Sequence, residues 1–150
     1  MKRDDLRAFL AEKSYDAMVL TSEISRRYAT GFHSTAGAVY LSAKQAVFFT
    51  DFRYVEAARA AIKDFEVREI KAGQSYSALI NELLDEDGAK KVALEDKTLT
   101  YAEFMSWSTA LHATAVRLED GVESLRMMKE DSEVEKIVAA QRIAEQALEE

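Results

Sequence analysis

Tyr28-Ala-Thr-Gly-Phe-His-Ser-Thr-Ala-Gly37 runs into Ala38-Val-Tyr-Leu41; after Ser42-Ala-Lys-Gln45 come Ala46-Val-Phe-Phe-Thr50 and the closing Asp51-Phe-Arg-Tyr54. Both apolar runs are rich in aromatic, alanine and β-branched residues. The four residues between them are few enough for an antiparallel hairpin, the one clear hairpin in the chain. The stretch before it is small and polar, with two of only five glycines. It reads either as a mobile or ligand-facing loop or as an ordinary helix-to-strand connection. Thr50–Tyr54 sets an acid, a guanidinium and a phenol where a strand meets a helix. Asp51 as a helix N-cap with Arg53 in the first turn accounts for them without a ligand.

Upstream of the hairpin, Asp4 and Asp5 suit a helix N-terminus, and Leu6, Phe9 and Leu10 share one face of a helix over residues 4–13. Ala17–Leu20 is a buried strand, too short for a helix. Ser22 caps a brief helix through Tyr28, which Gly31 stops. Downstream, Tyr54, Ala57, Ala58, Ala61 and Ile62 have helical spacing within residues 53–63, and Phe65–Ile70 alternates like a strand. A helix follows with Tyr76, Leu79, Ile80, Leu83 and Leu84 on its buried face, ended by Gly88. Lys91–Leu94 is a strand, Thr100 and Glu103 make a capping box for a helix through Leu111, and Ala113–Leu118 is the last strand. Strands and helices alternating after one hairpin predict an α/β fold: a mixed, mostly parallel sheet of about six strands with helices on both faces.

With 150 residues, 48% of them hydrophobic, the chain can bury one sizeable core. It has no proline to mark a linker. The absence of cysteine excludes disulfides, thiolate metal sites and a thiol nucleophile. A formal charge of -7 repels polyanions, and Arg26-Arg27 and Lys90-Lys91 are isolated basic pairs, so nucleic acid is not an expected partner. No apolar run approaches the ~20 residues of a spanning helix, so no membrane association and a soluble, cytoplasmic protein are expected.

Few residues suggest chemistry. His33 and His112 lack the spacing of a zinc or di-iron site. The glycines are too scattered for a phosphate loop or a serine elbow. Asp16, Asp51, Glu95 and Asp96 stand at predicted strand ends. Converging, they would suit two magnesium ions and phosphodiester cleavage; separately, they cap turns and helices.

The tail differs. A helix opening at Asp131 or Ser132, with Glu135 completing a capping box from Ser132, places Val134, Ile137, Ala144 and Leu148 on one face. It meets no stop signal before Glu149-Glu150, whose charge opposes the helix dipole. Position 150 is therefore expected to be a cut within a longer protein.

Tyr28-Ala-Thr-Gly-Phe32, the hairpin and Thr50-Asp-Phe-Arg-Tyr54, taken with Leu125-Arg-Met-Met-Lys129 and Ser132-Glu-Val-Glu-Lys-Ile137, resemble the N-terminal domain of the creatinase, prolidase and Xaa-Pro aminopeptidase family over essentially the whole chain. The resemblance implies a ribonuclease H-like domain over residues 1–129. Residues 130–150 would be the start of the first helix of a following catalytic domain. It implies that two divalent metal ions (manganese, cobalt or zinc) belong to that later domain and none to this chain, which alone would be inactive. It implies a homodimer acting on short peptides, with Phe32, His33, Ser34, Arg53 and Tyr54 facing substrate at the neighbouring subunit's active-site mouth. The alternatives are a ribonuclease H-like two-metal nuclease built on the strand-end carboxylates, and a free-standing small-molecule or protein-binding module.

Overall fold

A computed structural model describes residues 2–149. In chain order come α1 (Lys2–Lys13), β1 (Ala17–Leu20), α2 (Glu23–Thr30), β2 (Ala38–Ser42), β3 (Ala46–Thr50), α3 (Val55–Ala61) and β4 (Glu66–Glu69). Then follow α4 (Tyr76–Asp87), β5 (Lys91–Leu94), α5 (Tyr101–Ala110), β6 (Thr114–Arg117), α6 (Gly121–Met127) and α7 (Asp131–Glu149). The strands form one sheet in the order β4-β3-β2-β1-β5-β6. β1 is parallel to β5, β5 to β6 and β3 to β4, whereas β2 is antiparallel to both β1 and β3. All strands but β2 therefore point one way, giving the mixed, mostly parallel sheet with one hairpin that the pattern predicts.

Period-two alternation along buried strands sends successive side chains to opposite helical layers. Met18, Leu20, Val39, Leu41 and Phe48 meet Leu6 and Leu10 of α1, Ala29 of α2, Ala58 of α3 and Val122 of α6. Ala17, Val19, Tyr40, Val47 and Phe49 meet Ile80, Leu83 and Leu84 of α4, with Phe104 and Trp107 of α5 packed against them. Tyr40 is wholly buried in this second layer and donates its phenol to Asp87 Oδ2 at 2.7 Å, so its polar end is satisfied.

The local signals act as expected. The Ser22 hydroxyl accepts Ser25 N–H, Gly31 and Gly88 close α2 and α4 in the left-handed region, and Thr100 and Glu103 form the capping box of α5.

Three local expectations fail, and one helix is unforeseen. α6 forms over residues 121–127, where the sequence reading places no element, because Val122 and Leu125, one helical turn apart, both find the α1 layer. The Ser132–Glu135 box does not form; α7 begins at Asp131, and Glu133 Oε2 accepts Glu130 N–H at 3.0 Å instead. α3 starts at Val55 rather than Arg53. Its N-cap is Tyr54, without a side-chain cap, so Asp51 is not the N-cap. Its carboxylate is drawn instead to the nearer backbone N–H and guanidinium of Arg53.

No residue of α7 is buried, and Val134, Ile137, Val138, Ile143 and Leu148 are exposed along it. Lys2 Nζ reaches Glu133 Oε2 at 2.8 Å. Among the described residues, no helix is long and apolar enough to cross a membrane.

At the amino end of the parallel strands, Asp16 Oδ2 accepts the backbone N–H groups of Lys90 and Lys91, both at 2.8 Å, tying the entry of β5 to β1. These bonds, the one from Lys91 foremost, hold the Asp16 carboxyl below its usual range. A carboxyl with a depressed folded-state pKa stabilises above its unfolded value near 3.9, and that contribution is lost as pH falls through the folded value. Asp16→Asn is therefore expected to lower stability at pH 7 and to flatten the fall of the unfolding midpoint below about pH 4. Urea melts of both proteins between pH 2 and 7 check this, and parallel curves would refute it.

Candidate functional site

The shared strand direction gathers the connections after β1, β3 and β5 at one end of the sheet, where residues 31–37 also enter β2. This end holds most of the residues singled out from the sequence.

The loop 31–37 is laced down at nearly every step. Gly31, at φ +71°, ends α2 and donates its N–H to Arg27 O. Phe32 packs edge-on against Phe48 and Tyr54, with centroids 6.2 and 6.4 Å away. His33 points outward, its Nε2 2.6 Å from Glu23 Oε1. Ser34 is only 2% exposed. Thr35 Oγ1 meets the Tyr54 hydroxyl at 2.8 Å, and Ala36 O accepts the Thr50 hydroxyl at 3.0 Å. At Gly37 a Cβ would lie 2.7 Å from Phe49 O and 2.8 Å from Phe48 Cε2, so only glycine lets the backbone pass this close to β3.

A buried guanidinium anchors the loop from beneath. Arg26, 4% exposed, donates Nη1–H to Thr21 O and Nη2–H to Ser34 O, the latter at 2.7 Å. Its Nε and the Ser34 hydroxyl are buried without partners. Burial, outweighing nearby Tyr76, Glu23 and Glu95, pushes the Arg26 pKa down from its ordinary value. Glu95, 5% exposed, holds the other side of the same turn. Its Oε2 accepts Thr21 N–H at 2.6 Å and Ser22 N–H at 2.9 Å, while Oε1 accepts the Ser22 hydroxyl at 2.8 Å. Two buried charges of opposite sign thus fix residues 21–22 between β1 and the loop. Sequence reading singled out Glu95 only as a strand-end acid and Arg26 only as half of a basic pair.

Arg53 is clasped to Asp51, with Nη2 to Oδ2 at 2.7 Å, and lies 5.3 Å from the centre of the Tyr54 ring. The Arg53 side chain holds the Asp51 carboxyl below its usual range, and the Thr35 hydroxyl lowers the Tyr54 phenol. Phe52, between them, is 77% exposed. The structure thus brings Phe32, Ser34 and Tyr54 together as the inner wall of this end and leaves His33 and Arg53 on its outside.

The strand-end carboxylates do not converge. Asp16 lies at the opposite end of the sheet, Asp51 is held by Arg53, Glu95 by Thr21 and Ser22, and Asp96 by Arg117 and the Glu119 N–H. His112 also lies at the opposite end, with Nδ1 3.0 Å from Asp85. Among the described residues no three His, Asp or Glu are grouped to hold a metal ion.

Residues 2–128 match the family model described as the Creatinase/Prolidase N-terminal domain. The chain is 34% identical to the uncharacterized peptidase YqhT of Bacillus subtilis over 148 residues, which are 98% of this chain and 41% of that protein. It superposes on the Xaa-Pro dipeptidase from Bacillus anthracis with a TM-score of 0.91 and 36% identity, over 99% of this chain and 41% of that one. The N-terminal domain of the cytoplasmic peptidase PepQ from Mycobacterium tuberculosis gives a TM-score of 0.72 at 29% identity, over 83% of this chain and 97% of that one. The chain thus spans about two-fifths of the full-length relatives, at 41% of each.

Proposed function

Because this chain belongs to the creatinase/prolidase N-terminal domain family, we propose that it serves as the non-catalytic N-terminal domain of a cytoplasmic, metal-dependent Xaa-Pro peptidase. In this reading it contributes to a homodimer and to control of access to the active site. Its domain extends to about Lys129, and α7 is the first element of the catalytic domain, which covers Val134, Ile137 and Leu148. The two divalent metal ions, manganese, cobalt or zinc, belong to that domain. The residues of this chain do not fit them, since both histidines are engaged singly with carboxylates at opposite ends of the sheet.

The observation that carries the reading is the loop 31–37. A buried guanidinium, a tight glycine and an aromatic cluster hold it, yet among the described residues no group of three His, Asp or Glu stands beside it to hold a metal ion. A rigid surface without a metal set suits the wall of a metal-dependent site whose reacting groups lie elsewhere. Phe32, His33, Ser34, Arg53 and Tyr54 form that wall, with His33, paired with Glu23, and Arg53, clasped to Asp51, on the side that faces substrate.

In the full-length enzyme, His33→Ala is expected to change the ratio of kcat/KM between an Xaa-Pro dipeptide and the matching tripeptide by about threefold to tenfold. The exposed His33–Glu23 pair contributes little to folding, so the thermal midpoint should stay within a degree or two, about 0.5 kcal/mol. An unchanged ratio across the peptide series would count against the loop's role.

A further inference from the structure

β1 and β5 are adjacent and parallel, yet the chain leaves them toward opposite faces: β1 leads into α2, on the layer of Met18 and Leu20, and β5 leads into α5, on the layer of Val19 and Leu94. Where neighbouring parallel strands send their connections to opposite faces, a crevice opens beyond their carboxyl ends, and ligands of open α/β sheets bind there. Here that crevice has a volume of about 330 Å³ and is lined by Thr21, Ser22, Tyr76, Thr98, Leu99 and Trp107, with Gly37 of the loop at its edge.

The chemistry of the lining is selective. Trp107 and Tyr76 supply aromatic surface and Leu99 an aliphatic one. The Ser22 hydroxyl is committed to Glu95 Oε1 at 2.8 Å, whereas those of Thr21 and Thr98 make only long contacts to Glu95, at 3.5 and 3.4 Å, and can turn to a ligand; no Lys or Arg lines the space. One acid, Glu103, lines the space and is engaged by the N–H and hydroxyl of Thr100, and Glu95 behind it is engaged by Thr21 and Ser22. An anionic ligand finds no counterion here, and the one carboxylate of the lining is already held by Thr100. No residue of α5 is fully buried, so Phe104 and Trp107 retain aromatic surface that the sheet does not cover.

We infer that this crevice is a second, non-catalytic peptide subsite that takes a neutral prolyl segment, its ring packed on Trp107 and Tyr76 and its carbonyls accepting from the Thr21 and Thr98 hydroxyls. Aromatic-lined grooves with a few hydrogen-bond donors favour proline, whose preset backbone loses little entropy on binding. The assignment of proline, rather than another neutral ring, rests on the Xaa-Pro peptidase reading.

Trp107 is the only tryptophan of the chain, so its emission reports on this crevice alone. The test is a fluorescence titration of the 150-residue protein with acetyl-Ala-Pro-Ala-amide and, in parallel, acetyl-Ala-Ala-Ala-amide. The expected result is a saturable change with the prolyl peptide, about tenfold weaker with the alanyl one. Thr98→Arg, which fills the crevice from its exposed rim, is expected to abolish the response at an unchanged circular dichroism spectrum; should it unfold, Thr98→Val is expected to weaken binding about threefold. A non-saturating response, equal responses to the two peptides, or a response that survives a folded Thr98→Arg would overturn the inference. An assay of Xaa-Pro hydrolysis by the full-length enzyme separates the two readings. Hydrolysis without a saturable signal overturns the subsite alone. A saturable signal in an enzyme that leaves Xaa-Pro bonds intact supports the subsite and overturns the peptidase reading.

Discussion

Arg26→Ala is expected to destabilise the domain by about 2–4 kcal/mol. Its guanidinium spans two backbone carbonyls, Thr21 O and Ser34 O, that belong to different connections. Alanine leaves both acceptors facing a dry space. Each lost charge-assisted bond costs about 1.5–3 kcal/mol. Against that, the substitution relieves the burial of a cation whose Nε has no partner, which is why the net figure stays below the sum. The urea midpoint should fall by about 1–2 M with an unchanged slope. Loss of loop order should accompany it, seen as faster amide exchange at residues 32–36. A midpoint within experimental error of the parent would show that the loop is held by its aromatic contacts alone.

Gly37→Ala is expected to cost a similar amount, about 2–4 kcal/mol, by the opposite mechanism of overpacking. The new methyl would meet a backbone oxygen of β3 at 2.7 Å as well as the Phe48 ring edge at 2.8 Å. The ring can turn aside, but Phe49 O is fixed by the hairpin ladder, in which Phe49 is paired with Ala38. The φ of +151° adds strain for any side chain. Thermal unfolding reads the effect as a lowered midpoint, by about 6–12 °C for a chain of this size. Gly31→Ala supplies a comparison, because a Cβ there meets nothing within 4 Å and only the left-handed φ is penalised. Its cost should be nearer 1 kcal/mol. Equal effects at the two glycines would argue against the close approach at Gly37.

Most of the fold is legible in the sequence because its signals are local. Ala17–Leu20 and Lys91–Leu94 are short apolar runs between polar residues, and both are strands over those residues. Ser22, Gly31, Gly88 and the Thr100–Glu103 box act within one helical turn of themselves, so neighbouring residues suffice to read them. The signals that misled are those with a competing partner nearby. Asp51 has the composition of an N-cap, but Arg53 two residues on offers it a guanidinium and a backbone N–H. Ser132 has Glu135 at the right spacing, but Glu133 reaches the backbone first. α6 was masked by the charge of residues 119–130, although Val122 and Leu125 carry its buried face.

The site was legible only as a neighbourhood. Tyr28–Phe32 and Thr50–Tyr54 are far apart in the chain, and the Thr35–Tyr54 hydrogen bond that joins their surroundings is a tertiary contact. Nothing in the charge pattern separates Arg26 from Arg27, yet one is buried beneath the loop and the other is exposed. What distinguishes them is the turn of α2, which directs Arg26 toward Thr21 and Ser34. The crevice between β1 and β5 depends on which face each connection takes, and that is set by topology rather than by any motif.

The central claim, that this chain shapes a peptidase active site without supplying its chemistry, is tested most directly by measuring Xaa-Pro dipeptide hydrolysis in the presence of manganese. The assay compares the 150-residue chain with the longer enzyme proposed to carry it. The account predicts turnover by the full-length enzyme alone, abolished by chelation, and none by the 150-residue chain. Metal-dependent hydrolysis by the chain itself, lost on Asp51→Asn, would contradict it.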